Sequence, residues 1–394
     1  MLISQILEVS VVMLLTTFSR PAKAKTIFRG YFRVTKSIWF STSFGLLDLL
    51  SGTISALVLL PMIGETPWVL SIFPILLTVR GAGNGIFSGV LTTSLHIGTI
   101  EPRFRKNTEY YYSLVASVAT MSIINSFIAL LMIIMLFLDA LIVTLAYFIM
   151  LLTMVLTICF SITTTSIVGF ISFRRGINPD DVVYPIMSTL NDVLISLFLL
   201  LSILIIRPSD IKYALKVGLA ICTIIFCIIG VVAMKFRKHS QFRKTIREGL
   251  WGVIYAVVLS SIGGYLLSSL YSILLYVPEF MIILPLLMTI TGNAGSIMAS
   301  RYTTALNIGE VDVKHPEQTI YFIGKTSSLF IAPYTSTSIL GAAISIMISR
   351  RLSLGHFFWL TIKIFQIGFL SVFLSVPIVI FVSFQTFKYG LRCV

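Results

Sequence analysis

Long apolar runs alternate with short polar connections along the whole chain. An α-helix needs about 20 predominantly apolar residues to cross the hydrocarbon core of a bilayer. Runs of that kind lie near 41–63, 68–97, 112–138, 140–172, 182–206, 214–234, 250–277, 279–307, 320–348 and 356–385, which predicts ten transmembrane helices. An eleventh stretch, Met1 to Thr17, is apolar but short and carries Glu8, so spanning, interfacial and leader readings all stand open for it. No basic residues precede its apolar run, which fits a signal peptide poorly. The expected fold class is an all-α polytopic membrane protein with no soluble domain.

The runs are not independent of one another. Pro74 to Gly98 (PILLTVRGAGNGIFSGVLTTSLHIG) and Pro285 to Gly309 (PLLMTITGNAGSIMASRYTTALNIG) align without a gap. They share Pro74/Pro285, Leu76/Leu287, Thr78/Thr289, Gly81/Gly292, Ile86/Ile297, Thr92/Thr303, Thr93/Thr304, Leu95/Leu306, Ile97/Ile308 and Gly98/Gly309. Chance similarity of apolar text would match Leu with Ile; it would not reproduce this set of Pro, Gly and Thr. The blocks are offset by 211 residues, Pro74 to Pro285, and features of the same kind flank both. A basic segment leads to a Trp before each copy (Lys36 to Trp39; Arg247 to Trp251), and the next span carries a glycine (Gly52, Gly263). Acidic residues follow each copy (Glu101; Glu310 and Asp312), and Phe173 to Ile177 answers Phe387 to Leu391.

The copies then diverge, because the first continues through Asn178-Pro179-Asp180-Asp181 into a fifth span that the second does not have before Val394. An even number of crossings separates equivalent spans, so the repeats run parallel and a pseudo-twofold axis along the membrane normal is expected. The resulting organisation is an apolar and basic interfacial segment at 1–38, a first membrane repeat at 39–206, a linking span and basic surface helix at 207–249, and a second repeat at 250–394. Two such repeats in one chain form a pseudo-dimer that is expected to work as a monomer.

Composition agrees with this pattern. The chain is 57% hydrophobic and 11% charged, with a mean hydropathy of +1.00, against about 25% charged residues in soluble domains. A formal charge of +14 would suit a nucleic-acid partner, but its distribution points to the lipid bilayer instead. Arg20, Lys23, Lys25, Arg29, Arg33 and Lys36 precede the first span; Arg103, Arg105 and Lys106 follow the second; Arg174 and Arg175 follow the fourth; Lys235, Arg237, Lys238, Arg243, Lys244 and Arg247 follow the sixth. Every second connection is basic, as the positive-inside rule requires, and no nucleic acid is expected. Arg207, Lys212, Arg350 and Arg351 depart from the alternation and are read as headgroup contacts. Cys159, Cys222, Cys227 and Cys393 show no metal or disulfide spacing.

Chemistry concentrates in the fifth span. Asp192 lies two to three helical turns past the Asn178-Pro179-Asp180 cap, where a carboxylate costs on the order of 2.5–3.5 kcal/mol to insert. Ser188, Thr189 and Asn191 beside it offer oxygen ligands, which suit a hard cation such as Mg²⁺. A purely structural pairing with Arg80, Arg301, Lys325 or Lys363 is the other reading. Gly81 to Gly85, which includes Asn84, and Gly292-Asn293-Ala294-Gly295 are expected to distort their helices and free backbone carbonyls, or else to serve close packing. Asp48 in the first span either supplements the site or pairs with Arg80; Leu259 stands at its position in the second copy. Thr92, Thr93, Thr303 and Thr304 read as packing residues and His96 as an interfacial one. No HExxH or GxSxG set is present, so an intramembrane enzyme is disfavoured, and the buried Asp192 weighs against a mere scaffold.

The block Pro285 to Gly309, together with N-P-D-D-x-x-x-P-x-x-[ST]-T-x-x-D at Asn178 to Asp192, resembles the membrane domain of the MgtE magnesium channels. The duplication within one chain is closer to the eukaryotic solute-carrier relatives of MgtE and their archaeal counterparts. This resemblance covers nearly all of residues 30–390, without cytosolic regulatory domains. It implies transport of Mg²⁺ or a similar divalent cation, as cargo, across a cell membrane along a central path. By position it places the pore Asp at Asp192 and the Gly-Asn helix Asn at Asn293, with Asn84 displaced in the first copy. The candidate ion-contacting set is therefore Asp192, Asn293, Asn84, Asp48, Thr189 and Asn191. A cation exchanger driven by Na⁺ or H⁺, or a carrier of another substrate, is the alternative within transport.

Overall fold

The structure is a computed structural model that describes residues 48–59, 61, 66, 68–104, 107–136, 139–176, 179–307, 311, 318–319, 322, 331–350 and 353–388. All regular structure among these residues is helical. In chain order the helices are α1 (Asp48–Leu59), α2 (Val69–Ile97), α3 (Glu109–Leu136), α4 (Ala140–Arg174), α5 (Pro179–Ile206), α6 (Ile211–Phe236), α7 (Ser240–Ser269), α8 (Tyr271–Tyr276), α9 (Glu279–Asn307), α10 (Ile331–Ser349) and α11 (Leu354–Lys388). Among the described residues six of them, α2, α3, α4, α6, α7 and α11, are long and apolar enough to cross a membrane. The other four expected spans also carry helices, whose described apolar portions are shorter: Asp48–Leu59, Leu190–Ile206, Glu279–Gly292 and Tyr334–Ser349.

The helix ends follow from local chemistry. Asp139 caps α4, its carboxylate accepting from the backbone N–H of Leu141 at 2.8 Å, and Asp210 caps α6 by accepting from Tyr213 N–H at 3.2 Å. Each satisfies a donor that a helix N-terminus leaves open. Gly98 ends α2 in the left-handed region at φ 79°, where its N–H returns to the Leu95 carbonyl. A β-carbon is strained in that backbone conformation. The basic segment expected as a surface helix is continuous with α7, a single helix of 30 residues. At 1.5 Å per residue α7 is about 45 Å long, more than a hydrocarbon core of about 30 Å. Its first turns expose Arg243, Lys244 and Arg247 while burying Gln241, Phe242 and Thr245.

Two compact units cut across the linear order of the repeats: Thr53–Met281 forms one, and Met1–Gly52 with Ile282–Val394 forms the other. In the first unit α2 packs on α3, α4, α5 and α7, and α6 lies on α3 and α4. Phe87, Leu91, Leu95, Ile100, Tyr111, Leu114, Val118 and Phe170 make a core cluster there. In the second unit α10 packs on α11. Tyr302, Ala305, Leu306 and Val311 form its cluster, with Phe322, Ile380 and Phe384 packed against them. Leu91 and Leu95 stand in the repeat register of Tyr302 and Leu306, so the two clusters bury equivalent turns of α2 and α9.

α1 is divided between these units, Asp48–Gly52 in one and Thr53–Leu59 in the other. α7 opens the second repeat yet packs on α2 and α3 of the first, and a β-carbon on Gly264 would run into the Ser71 carbonyl of α2. In the other unit a β-carbon on Gly52, in α1 of the first repeat, would run into the Ile282 carbonyl of α9. Ser71 and Ile282 are related by the repeat offset, and Gly264 is one residue from the register position of Gly52. Each glycine lets a helix backbone approach to a separation that any side chain would prevent.

One expectation is corrected. The glycine-rich blocks do not interrupt their helices: α2 runs unbroken through Gly81 to Gly85, and α9 through Gly292 to Gly295. Glycine in a helix costs about 1 kcal/mol relative to alanine, whereas each backbone group left unsatisfied in hydrocarbon costs several kcal/mol. The helical bonds are therefore retained, and the carbonyls of Gly81 and Gly292 are engaged rather than freed.

Candidate functional site

The candidate residues that the structure brings together lie where α2 meets α4 and α5. α5 starts at Pro179 and carries Asn191 and Asp192 into the interior, where they are 0% and 6% exposed. Opposite stands Arg80 of α2, 8% exposed, whose guanidinium Nη2 donates to Asp192 Oδ1 in a buried ion pair. Of the four cations that the sequence offers as partners, Arg80 meets this carboxylate. One turn along α5, the Ser196 hydroxyl donates to the Asp192 backbone carbonyl at 3.3 Å and shares a hydrogen bond with Ser55 of α1.

Asn84 follows Arg80 by one turn on the same side of α2. Its Oδ1 accepts from Ser161 Oγ at 3.0 Å and from Thr165 Oγ1 at 2.8 Å, both on α4. An amide oxygen has two lone pairs, so both are engaged here, and reaching an ion requires one of these hydroxyls to turn away. The sequence reading missed Ser161 and Thr165; their spacing of four, two hydroxyls on one face of a buried helix, was the available signal. Substituting Asn84 by Leu is expected to cost about 1–2 kcal/mol, since interhelical hydrogen bonds in membranes average roughly 0.6 kcal/mol each. Unfolding in mixed micelles measures it, and a variant as stable as the parent would contradict the tie.

Asn191 is the most exacting group in the site. Neither its amide nitrogen nor its amide oxygen has a hydrogen-bond partner among the described residues, although the residue is fully buried beside Asp192. A buried amide without partners loses about 1–3 kcal/mol, which a bound water or ion would recover. Asn125 of α3 is a second amide of this kind, 1% exposed, and the sequence reading overlooked it.

The remaining candidates are placed as follows. Asp48 is fully buried in α1, in the unit that holds most of α9. Thr189 and Asn293 are helical residues of α5 and α9, and their side chains lie outside the described residues. Thr92 donates to the Gly89 carbonyl of its own helix at 3.2 Å, in keeping with a packing role. His96 is exposed at the end of α2, edge-on to Phe173 with ring centroids 5.7 Å apart. Among the described residues no group of three or more His, Cys, Asp or Glu could hold a metal ion. The described site is therefore one carboxylate, one guanidinium and neutral amides and hydroxyls.

Comparison with known proteins adds the following. The sequence matches the model of the MgtE family, described as divalent cation transporter, over residues 73–203 and 284–390. These two segments fall within the stretches that the sequence marks as repeats. Solute carrier family 41 member 2 of Mus musculus is 30% identical over 153 residues, 37% of this chain and 25% of that protein. The Homo sapiens protein of the same name is 29% identical over 153 residues, and that of Gallus gallus 27% over 154, with the same shares covered. The chain thus spans 25% of the length of these curated relatives. No solved structure matches it significantly.

Proposed function

Because the chain belongs to the MgtE family of divalent cation transporters, a family of multi-pass transporters and not of enzymes, we propose that it carries Mg²⁺, or a divalent cation like it, across the membrane at Asp192. The observation that carries this reading is a carboxylate held 6% exposed at the start of the apolar portion of α5, Leu190–Ile206, next to the amide of Asn191, which has no hydrogen-bond partner among the described residues. Ionisable groups at that depth are expensive and are functional by default. The family supplies the class of activity and of ion, divalent cation transport, and oxygen donors suit a hard cation of that class.

Mg²⁺ demands six oxygens near 2.0–2.1 Å and gives up water reluctantly. One carboxylate cannot replace a hydration shell. The ion is therefore taken up partly hydrated, touched directly by Asp192, with Asn191, Thr189, Asn84, Asn293 and Asp48 as candidates for contact through water. The path runs between the two repeats, which act as a pseudo-dimer about an axis along the membrane normal. The 211-residue repeat supports that arrangement.

Flux into liposomes holding the purified chain tests the proposal. Mg²⁺ is expected to pass, with Mn²⁺ and Ca²⁺ within about tenfold of it, because a site that reads a hydrated ion senses the size of the bare ion only indirectly. An absence of divalent flux, or near-absolute rejection of Mn²⁺ and Ca²⁺, would overturn it. So would flux of Na⁺ alone.

A further inference from the structure

We propose that Arg80 is a tethered competitor for the transported ion: its guanidinium occupies Asp192 while the site is empty and must withdraw before a divalent cation binds. Arg80 thereby sets the ion concentration at which the site fills. This inference rests on the reading of Asp192 as the ion's ligand.

Three observations carry it. First, the side chains of Arg80 and Asp192 are 9% and 8% exposed and directly paired, so an entering cation meets a carboxylate already neutralised. Arginine does not lose its proton in proteins, and it can clear the carboxylate only by moving. Second, the repeat supplies a control. The register position of Arg80 in α9 is Thr291, although Thr78 and Thr289, and Gly81 and Gly292, are identical. The same helix thus forms in the second repeat without a cation, so the charge is not a requirement of helix formation. Third, the side chain is able to move: arginine reaches its partner through a long flexible stem, and the next residue on α2, Gly81, has no side chain to confine that stem.

The consequence for the site is electrostatic. A divalent ion at Asp192 beside a retained guanidinium would face a like charge a few ångströms away in a medium of low dielectric. Ion and guanidinium are therefore alternatives, and the attraction between Arg80 and Asp192 is subtracted from the affinity for the ion. Fractional occupancy of a competent state weakens apparent affinity by that fraction.

The test uses Arg80→Thr, which installs the residue of the second repeat, and Arg80→Lys, which keeps the charge but gives up the fork that grips a carboxylate. Both full-length variants are reconstituted, and initial Mg²⁺ uptake is followed against Mg²⁺ concentration, with the Mg²⁺-induced rise in melting temperature in detergent as a second readout. Arg80→Thr is expected to lower the half-saturating concentration by about tenfold or more, and Arg80→Lys by roughly threefold. Should Arg80→Thr fail to fold, Arg80→Lys decides the matter alone. Half-saturation unchanged or raised in the folded variants would make Arg80 a structural partner only. Asp192→Asn, run alongside, separates the two claims: normal transport by that variant removes the site reading itself, whereas loss of transport with unmoved Arg80 variants removes only this inference.

Discussion

Replacing Gly264 by leucine is expected to abolish the folded protein, while the same change at Gly263, one residue earlier, leaves it intact. A β-carbon at Gly264 would overlap the Ser71 carbonyl, a backbone atom that cannot rotate aside, whereas at Gly263 it would meet no described atom of a packed neighbour within 4 Å. Leucine adds three further carbons to that collision, so α7 has to leave α2. Overpacking of ordinary cores costs about 1–3 kcal/mol where side chains can give; here the obstacle is main chain, and the loss should exceed about 4 kcal/mol. Gly264→Ala tests the same contact with one carbon and should fall between the two. Size-exclusion profiles and melting temperatures in detergent read the result. A Gly264→Leu protein that elutes and melts like the parent would show that the close approach is not needed.

The contrast between Gly263 and Gly264 also marks how far the sequence could be read. Hydrophobic text announced the spans, and helices stand at all ten of the expected positions among the described residues. The repeat is read from Pro, Gly and Thr at a constant offset, which apolar composition alone does not produce. What periodicity cannot supply is the identity of a packing partner. Nothing in the text of the first repeat says that α2 rests on a helix of the second, because the contact is made by a glycine and a carbonyl and neither leaves a pattern.

The blocks around Gly81 and Gly292 failed as a prediction for a different reason. Local propensity favours a break, and in water it would have had a chance; in hydrocarbon the unsatisfied backbone decides, and α2 and α9 run through. The site itself was half legible. Asp192 stood out because a carboxylate in apolar text is rare, and Arg80 was among its four possible partners, but choosing between them needed the crossing of α2 and α5. Ser161 and Thr165 were hidden because a hydroxyl in a span ordinarily bonds its own helix, as Thr157 and Thr163 of α4 do.

Asp192→Asn should abolish most divalent flux. The substitution keeps the shape of the side chain and one carbonyl oxygen while removing the charge that compensates a divalent ion for the water it gives up. It also leaves Arg80 without its carboxylate, and breaking a buried pair from one side typically costs about 3–5 kcal/mol. Loss of flux alone would therefore be ambiguous between a missing ligand and a weakened fold. The double variant Arg80→Thr with Asp192→Asn resolves this, because it removes both charges together and leaves no buried ion of this pair unmatched. Its stability should recover most of what the single variant lost, whereas its flux should not return. Measured side by side in liposomes and by melting in detergent, recovery of stability without recovery of transport assigns the carboxylate to the ion. Recovery of both would assign it to the fold, and Asp192 would then be no more than the partner of Arg80.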